Sequence, residues 1–81
     1  MKPKYLKFVT GTEIHSIVKI DSDKSMVEVS NFFDIPRIEA WETSADILSD
    51  YIDSDESEFR KFYKMVLSRL NEKAFGKNDN N

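Results

Sequence analysis

The side chains best suited to acid–base chemistry are the single histidine, His15, and the glutamate two residues before it. Residues two apart on a β-strand share a face, so Glu13 and His15 could form a proton-transfer pair. No other enzyme motif accompanies them, and a histidine on the polar face of a strand more commonly has no catalytic role. The chain has no cysteine nucleophile and no glycine-rich phosphate loop. We therefore predict that the protein is not an enzyme.

Metal ligands are equally sparse. Asp21, Asp23 and Glu28 loosely resemble a calcium loop, but the spacing and central glycine of an EF-hand are absent. The absence of cysteine excludes disulfides and cysteine-based zinc sites. The one histidine would need carboxylate help to form a metal site. We predict neither a metal nor a cofactor.

The charges divide the sequence into acidic and basic segments, although the net charge is only −3. Residues 39–58 contain eight acids and no base, whereas residues 59–81 contain six bases and two acids. Three lysines lie within the first seven residues. If one surface binds an anionic polymer, the terminal segments are the better candidates; an ordinary solvated surface is the simpler interpretation.

Alternating apolar and polar residues predict an antiparallel meander. Gly11-Thr12 and the polar run 21–25 supply its turns. In the second strand the small Ser16 would allow the sheet to bend sharply. The predicted strands span 4–10, 13–20 and 26–30. The alternation places Ile14, Ser16, Val18 and Ile20 on one face of the second strand and His15, Ile17 and Lys19 on the other.

The next segment alternates less clearly. Pro36 has no N–H group for a sheet ladder, so an edge strand or a bulge is expected near it. Residues 37–42 alternate again and predict a fourth strand. Residues 43–52 fit either a short strand or a helix capped by Ser44, and the pattern leaves both open.

The last element is predicted to be an amphipathic helix over residues 54–75. A cap-x-x-Glu arrangement opens it at residues 53–56, and Gly76 ends it. A single domain is expected over residues 1–76, with a barrel at about 4–52 and a disordered tail at 77–81. The apolar stripe comprises Phe59, Phe62, Tyr63, Val66, Leu70 and Ala74, and Met65 and Leu67 widen it.

The length and hydropathy of the chain favour a soluble protein that associates with itself. Eighty-one residues bury a small core, and such chains often gain stability by association. No stretch approaches the roughly 20 apolar residues of a membrane span. The basic N-terminus lacks the apolar stretch of a signal peptide. We therefore expect no membrane partner.

Residues 5–42 resemble the small β-barrel of the Sm/LSm family, which includes the bacterial Hfq group. The resemblance is closest to the short Sm-like proteins of marine tailed phages. It rests on Leu6-x-Phe8-Val9-Thr10-Gly11-Thr12-Glu13-Ile14, on the Asp-x-x-Met of residues 23–26, and on residues 58–63, which are similar to the closing helix of the phage-type members.

The resemblance implies a mainly β fold, namely a strongly bent five-stranded antiparallel barrel with a C-terminal helix. It also implies a homo-oligomeric ring, from pentamer to heptamer, that binds single-stranded RNA in the cytoplasm of a bacterial or phage-infected cell. Met26 or an aromatic residue would stack on a base, and Lys24, Arg37 and His15 would supply positive charge. The implied RNA-binding residues are Asp23, Lys24, Ser25, Met26 and Arg37. The expected subunit interface contains Val27, Val29, Ile35, Ile38 and Trp41.

Three departures from the family pattern favour an alternative. Val27 occupies the position of the asparagine that contacts the base, and no Arg-Gly follows Trp41. The strong helix is C-terminal, whereas the better-known members begin with one. The alternative function is an SH3-like protein-interaction module that presents its acidic surface to a basic host or phage protein.

Overall fold

The computed structural model describes residues 2–22, 24–44, 46 and 48–76, which form one antiparallel sheet and one helix. The strand order is β4-β3-β2-β1-β5. The predicted mainly β fold with a C-terminal helix is confirmed. The sheet is open, since its outer strands β4 and β5 do not pair with each other. The elements are β1 (Lys4–Thr10), β2 (Glu13–Ile20), β3 (Met26–Phe32), β4 (Ile35–Trp41), β5 (Ile52–Asp53) and α1 (Glu56–Phe75).

A β-bulge interrupts the first hairpin. Phe8 pairs with Ser16, but the next residue, Val9, pairs with Ile14, so His15 is the extra residue. A bulge places two consecutive side chains on one face. His15 therefore lies with Ser16 rather than opposite it, and Ile14 joins Ile17 on the helix side. The strict alternation predicted for β2 is wrong at these two positions.

The second hairpin turns through only two residues, Phe33 and Asp34. Both have left-handed backbones, with φ of 55° and 60°. Two positive φ values match the tight turns that suit the twist of a hairpin. The left-handed region costs a bulky residue such as phenylalanine about 1–2 kcal/mol. Pro36 is the second residue of β4, which is an edge strand, as its missing N–H predicted.

The turn also sets which β4 backbone groups face outward. A two-residue hairpin loop makes Phe32 and Ile35 a hydrogen-bonded pair, and bonded and non-bonded pairs alternate along an antiparallel ladder. The N–H groups of residues 37, 39 and 41 therefore point toward β3. The N–H groups of Ile38 and Ala40 point to the outer edge, on the same side as the ring nitrogen of Pro36. The outer edge of β4 thus has backbone groups available for another strand.

The segment between β4 and the helix contains little regular structure. Residues 46 and 48–50 form turns, and β5 is confined to Ile52 and Asp53, which pair with Lys7 and Leu6. Neither a helix nor a longer strand forms in the described part of 43–52.

Helix α1 begins at Glu56, two residues later than predicted. The N-cap is Asp55, whose side chain accepts a hydrogen bond from the Glu58 N–H at 2.8 Å. Gly76, with φ of 87°, ends the helix and donates its N–H to the Glu72 carbonyl at 2.7 Å. The predicted tail at 77–81 lies outside the described residues. No helix in the described part of the chain is long and apolar enough to cross a membrane.

The helix packs across one face of the sheet. The centre of the core comprises Ile17 and Val29 from the sheet and Phe62 and Val66 from the helix, each at most 7% exposed. Burying side chains of this size contributes about 1.5–3 kcal/mol each before entropy losses. This packing fixes the position of the helix over β2, β3 and β4.

Candidate binding surface

Four strand termini meet at one end of the sheet, where β1 and β3 begin and β2 and β4 end. Ile20 pairs with both Lys4 and Met26, and Met26 also pairs with Trp41. We call Lys4, Ile20, Met26 and Trp41, together with the β2–β3 turn, the turn end of the sheet. The predicted RNA loop belongs to this end.

Hydrogen bonds fix the shape of the β2–β3 turn. The Ser22 hydroxyl oxygen accepts from the Lys24 N–H at 3.2 Å and the Ser25 N–H at 3.3 Å. Thr43 donates its N–H to the Lys24 carbonyl at 3.3 Å and its hydroxyl to the Ser22 carbonyl at 3.1 Å. The side chains of Lys24 and Ser25 remain exposed. Asp23 lies outside the described residues.

Met26 does not serve as the predicted stacking surface. Its side chain is only 2% exposed and so cannot stack on a base. Its cross-strand neighbour Trp41 is 47% exposed and presents an aromatic ring at the same end of the sheet. Trp41, expected only at the subunit interface, is thus the better base-stacking candidate.

Arg37 lies away from the predicted loop. It pairs with Ser30, four strand positions from Met26, which corresponds to about 13 Å along the sheet. Its guanidinium is 4.0 Å from the Glu39 carboxylate. Within one chain, the structure does not bring Arg37 and Lys24 together.

The predicted interface residues fall into two groups. Val29 is fully buried in the core, and Ile38 packs against the same cluster. Val27, like Val29, lies on β3, whose backbone already pairs on both sides. Ile35 and Trp41, in contrast, are about half exposed on the edge strand β4. Only these two of the five side chains present a large apolar surface outward.

The exposed side of β4 forms a shallow groove of about 220 Å³. The tip residue Phe33 is 94% exposed and contributes one wall. Sequence reasoning missed this residue, because nothing in the pattern places a phenylalanine at a turn. The other lining residues are Glu28, Ser30, Phe32, Ile35, Arg37, Glu39 and Trp41.

A polar contact joins the segment between β4 and β5 to the face of the sheet opposite the helix. Tyr51 donates its hydroxyl to the fully buried Ser16 Oγ at 3.0 Å, and Ser16 donates to a Glu28 carboxylate oxygen at 3.5 Å. Burial raises the pKa of Tyr51, and the hydrogen bond to Ser16 partly opposes this shift. The contact fixes residue 51 over the small side chain at position 16.

His15 is held by aromatic packing. Its ring stacks on Phe32 at 5.5 Å with an interplanar angle of 6°, and Phe8 lies 6.0 Å away. The hydroxyl of Thr10 forms a hydrogen bond with its Nε2. The Glu13 carboxylate is 3.8 Å from Nδ1, so the predicted pair is close. These contacts describe a histidine that holds the bulge in place.

One ion pair joins the sheet to the first turn of the helix. Lys7 Nζ donates to both Glu58 carboxylate oxygens at 2.8 Å, and the Ser54 hydroxyl donates to one of them at 2.8 Å. The hydrogen bond from Lys7, followed by that from Ser54, lowers the pKa of Glu58 below its ordinary value of 4.5. The ionised carboxylate is thus favoured in the folded state.

Glu58→Gln is expected to flatten the acid dependence of stability. A lowered folded pKa gives stability that is present above pH 4.5 and is lost as the pH falls through the folded pKa. Because Glu58 is partly exposed, the loss at pH 7 is expected to be about 1 kcal/mol. Urea unfolding of both proteins at neutral and acidic pH measures the difference, and parallel pH profiles would show that the pair is not formed.

Comparison with protein-family models, curated proteins and solved structures finds no match for this chain. Among the described residues, no group of three or more His, Asp and Glu side chains could hold a metal ion. The geometry offers instead an open sheet edge and a turn end with an exposed lysine and tryptophan.

Proposed function

We propose that the protein assembles through its sheet edges into a homo-oligomeric ring and binds single-stranded RNA at the turn end. The open sheet carries this proposal: within the described residues, the outer edges of β4 and β5 have no partner strand. An unpaired edge is a template for another strand. Ile35 adds exposed apolar surface along β4. The ring of five to seven subunits is taken from the Sm-like resemblance.

The turn end supports RNA as the ligand. Lys24 is exposed on a turn fixed by hydrogen bonds, and Trp41 is 47% exposed at the same end. Proteins bind unpaired RNA by stacking bases on aromatic rings while cations contact the phosphates. A ring would repeat this lysine and tryptophan in every subunit and so multiply a weak contact.

Lys24→Glu is expected to weaken binding of oligo(U) about tenfold and to reduce the salt slope by about 0.7 for the lost phosphate contact. Trp41 is the only tryptophan, so quenching of its fluorescence reports stacking directly. Lys61→Glu is the matched control, because it makes the same charge change at an exposed helix position. Equal losses of affinity in both variants, or Trp41 fluorescence that oligo(U) leaves unchanged, would show that RNA does not bind at the turn end.

One observation favours the second candidate, a protein-interaction module. Glu42, Asp46, Asp50 and Asp53 are all exposed between β4 and α1. Such a surface repels phosphate and attracts a basic partner. Salt-sensitive binding of an oligolysine peptide, with no binding of oligo(U), would favour this function over RNA binding.

A further inference from the structure

A second and larger groove lies between the first half of α1 and the adjacent strands β1 and β2. Its volume is about 500 Å³. Three aromatic rings line it: Tyr5 and Phe59 are 5.5 Å apart between centroids, and Phe59 and Tyr63 are 6.2 Å apart. Leu67 extends this apolar lining and is 37% exposed. We call this the helix groove.

Cations predominate around the helix groove. Lys19, Arg60 and Lys64 line it, against one lining carboxylate, Glu56. Glu56 already pairs with Arg60 at 2.7 Å. Among the described residues, Lys64 forms no ion pair with a carboxylate. Lys19 lies 3.7 Å from the Asp21 carboxylate, so Lys64 is the lining cation that stands apart from these ion pairs.

The helix groove lies near the turn end of the sheet. Tyr5 pairs with Lys19, one position from the Lys4–Ile20 pair that closes β1 and β2. Lys24 lies five residues beyond Lys19 in the turn that follows β2. Lys19 of the groove and Lys24 of the turn thus both lie near this end of the sheet.

We propose that the helix groove binds single-stranded RNA, with a base against Phe59 and Tyr63 and the flanking phosphates on Lys64 and Lys19. This site rests on the proposed RNA function and extends it from the turn end to the helix. The aromatic lining favours nucleic acid over an acidic peptide, because every base has a flat face that stacks on such rings. The cations supply the phosphate contacts.

Binding of fluorescein-labelled oligo(U), measured by anisotropy over a range of salt concentrations, tests the site. Lys64→Glu is expected to weaken binding roughly tenfold and to reduce the salt slope by about 0.7. Tyr63→Leu keeps an apolar side chain but removes the ring, and is expected to weaken binding at least fivefold at an unchanged salt slope. Lys61→Glu is the control, since Lys61 is an exposed cation on the same helix outside the groove. Circular dichroism confirms that each variant is folded.

Each outcome decides one point. If Lys64→Glu binds like Lys61→Glu while Lys24→Glu is weakened, the helix groove is not a site and the RNA function stands. If the wild-type protein does not bind oligo(U), both proposals fail. If oligoglutamate binds in a Lys64-dependent manner and oligo(U) does not, the groove is a peptide site and its assignment to RNA is overturned.

Discussion

Phe62→Ala is expected to lower the free energy of unfolding by about 3–5 kcal/mol. Phe62 is 7% exposed and links the helix to Ile17 and Val29 in the small core. A domain of this length has a total stability of roughly 4–12 kcal/mol, so the variant should be partly or wholly unfolded. Urea denaturation followed by circular dichroism measures the loss.

Leu70→Ala is the matched control for the helix. Leu70 lies on the same helix but is 37% exposed, so its truncation is expected to cost about 1 kcal/mol or less. If Phe62→Ala does not fold, Phe62→Leu should fold with a smaller loss of about 1–2 kcal/mol. Equal losses in Phe62→Ala and Leu70→Ala would show that the helix does not pack on the sheet as described.

Ala40→Pro is expected to dissociate the proposed oligomer without unfolding the subunit. The N–H of Ala40 points to the outer edge of β4, in phase with the proline already present at position 36. Proline therefore removes an outward donor and leaves the ladder to β3 intact. Losing that hydrogen bond at every interface should weaken each contact about tenfold. Sedimentation velocity over a dilution series measures the shift to monomer.

Ala40→Val is the control for this position, because it also enlarges the side chain but keeps the N–H group. It is expected to sediment like the wild-type protein. Both variants should retain the circular dichroism spectrum of the wild type. An oligomer that survives Ala40→Pro unchanged would exclude edge-to-edge pairing through β4.

The elements with regular patterns were predictable from the sequence. Strands β1 and β2 showed period-two alternation, and the helix showed a clear stripe with a cap and a terminal glycine. The bulge at His15 was not predictable from the sequence. It moves one side chain to the opposite face of the sheet, while the apolar residues before and after it still alternate. The turn at Phe33 and Asp34 was also missed, since a phenylalanine with a left-handed backbone carries no turn signal.

The candidate sites depended on information that a linear pattern lacks. The polar run 21–25 predicted the β2–β3 turn, but Met26 is a strand end whose burial depends on the neighbouring strands. Trp41 becomes its partner only through the β3–β4 register, which the unpredicted two-residue turn sets. Predicting the helix groove would have required knowledge of the direction in which α1 crosses the sheet. Charge asymmetry gave one usable signal, because Arg60 and Lys64 of the basic segment 59–81 line the helix groove.

The mass of the protein in solution tests the central claim, edge-to-edge assembly, most directly. Size-exclusion chromatography with light scattering gives this mass, and absorbance at two wavelengths detects nucleic acid that co-purifies. We predict a mass of five to seven times the 9.5 kDa of one chain, as the Sm-like resemblance implies, and its loss in Ala40→Pro. A monomer of 9.5 kDa at all concentrations would contradict the account and leave only a single sheet and helix.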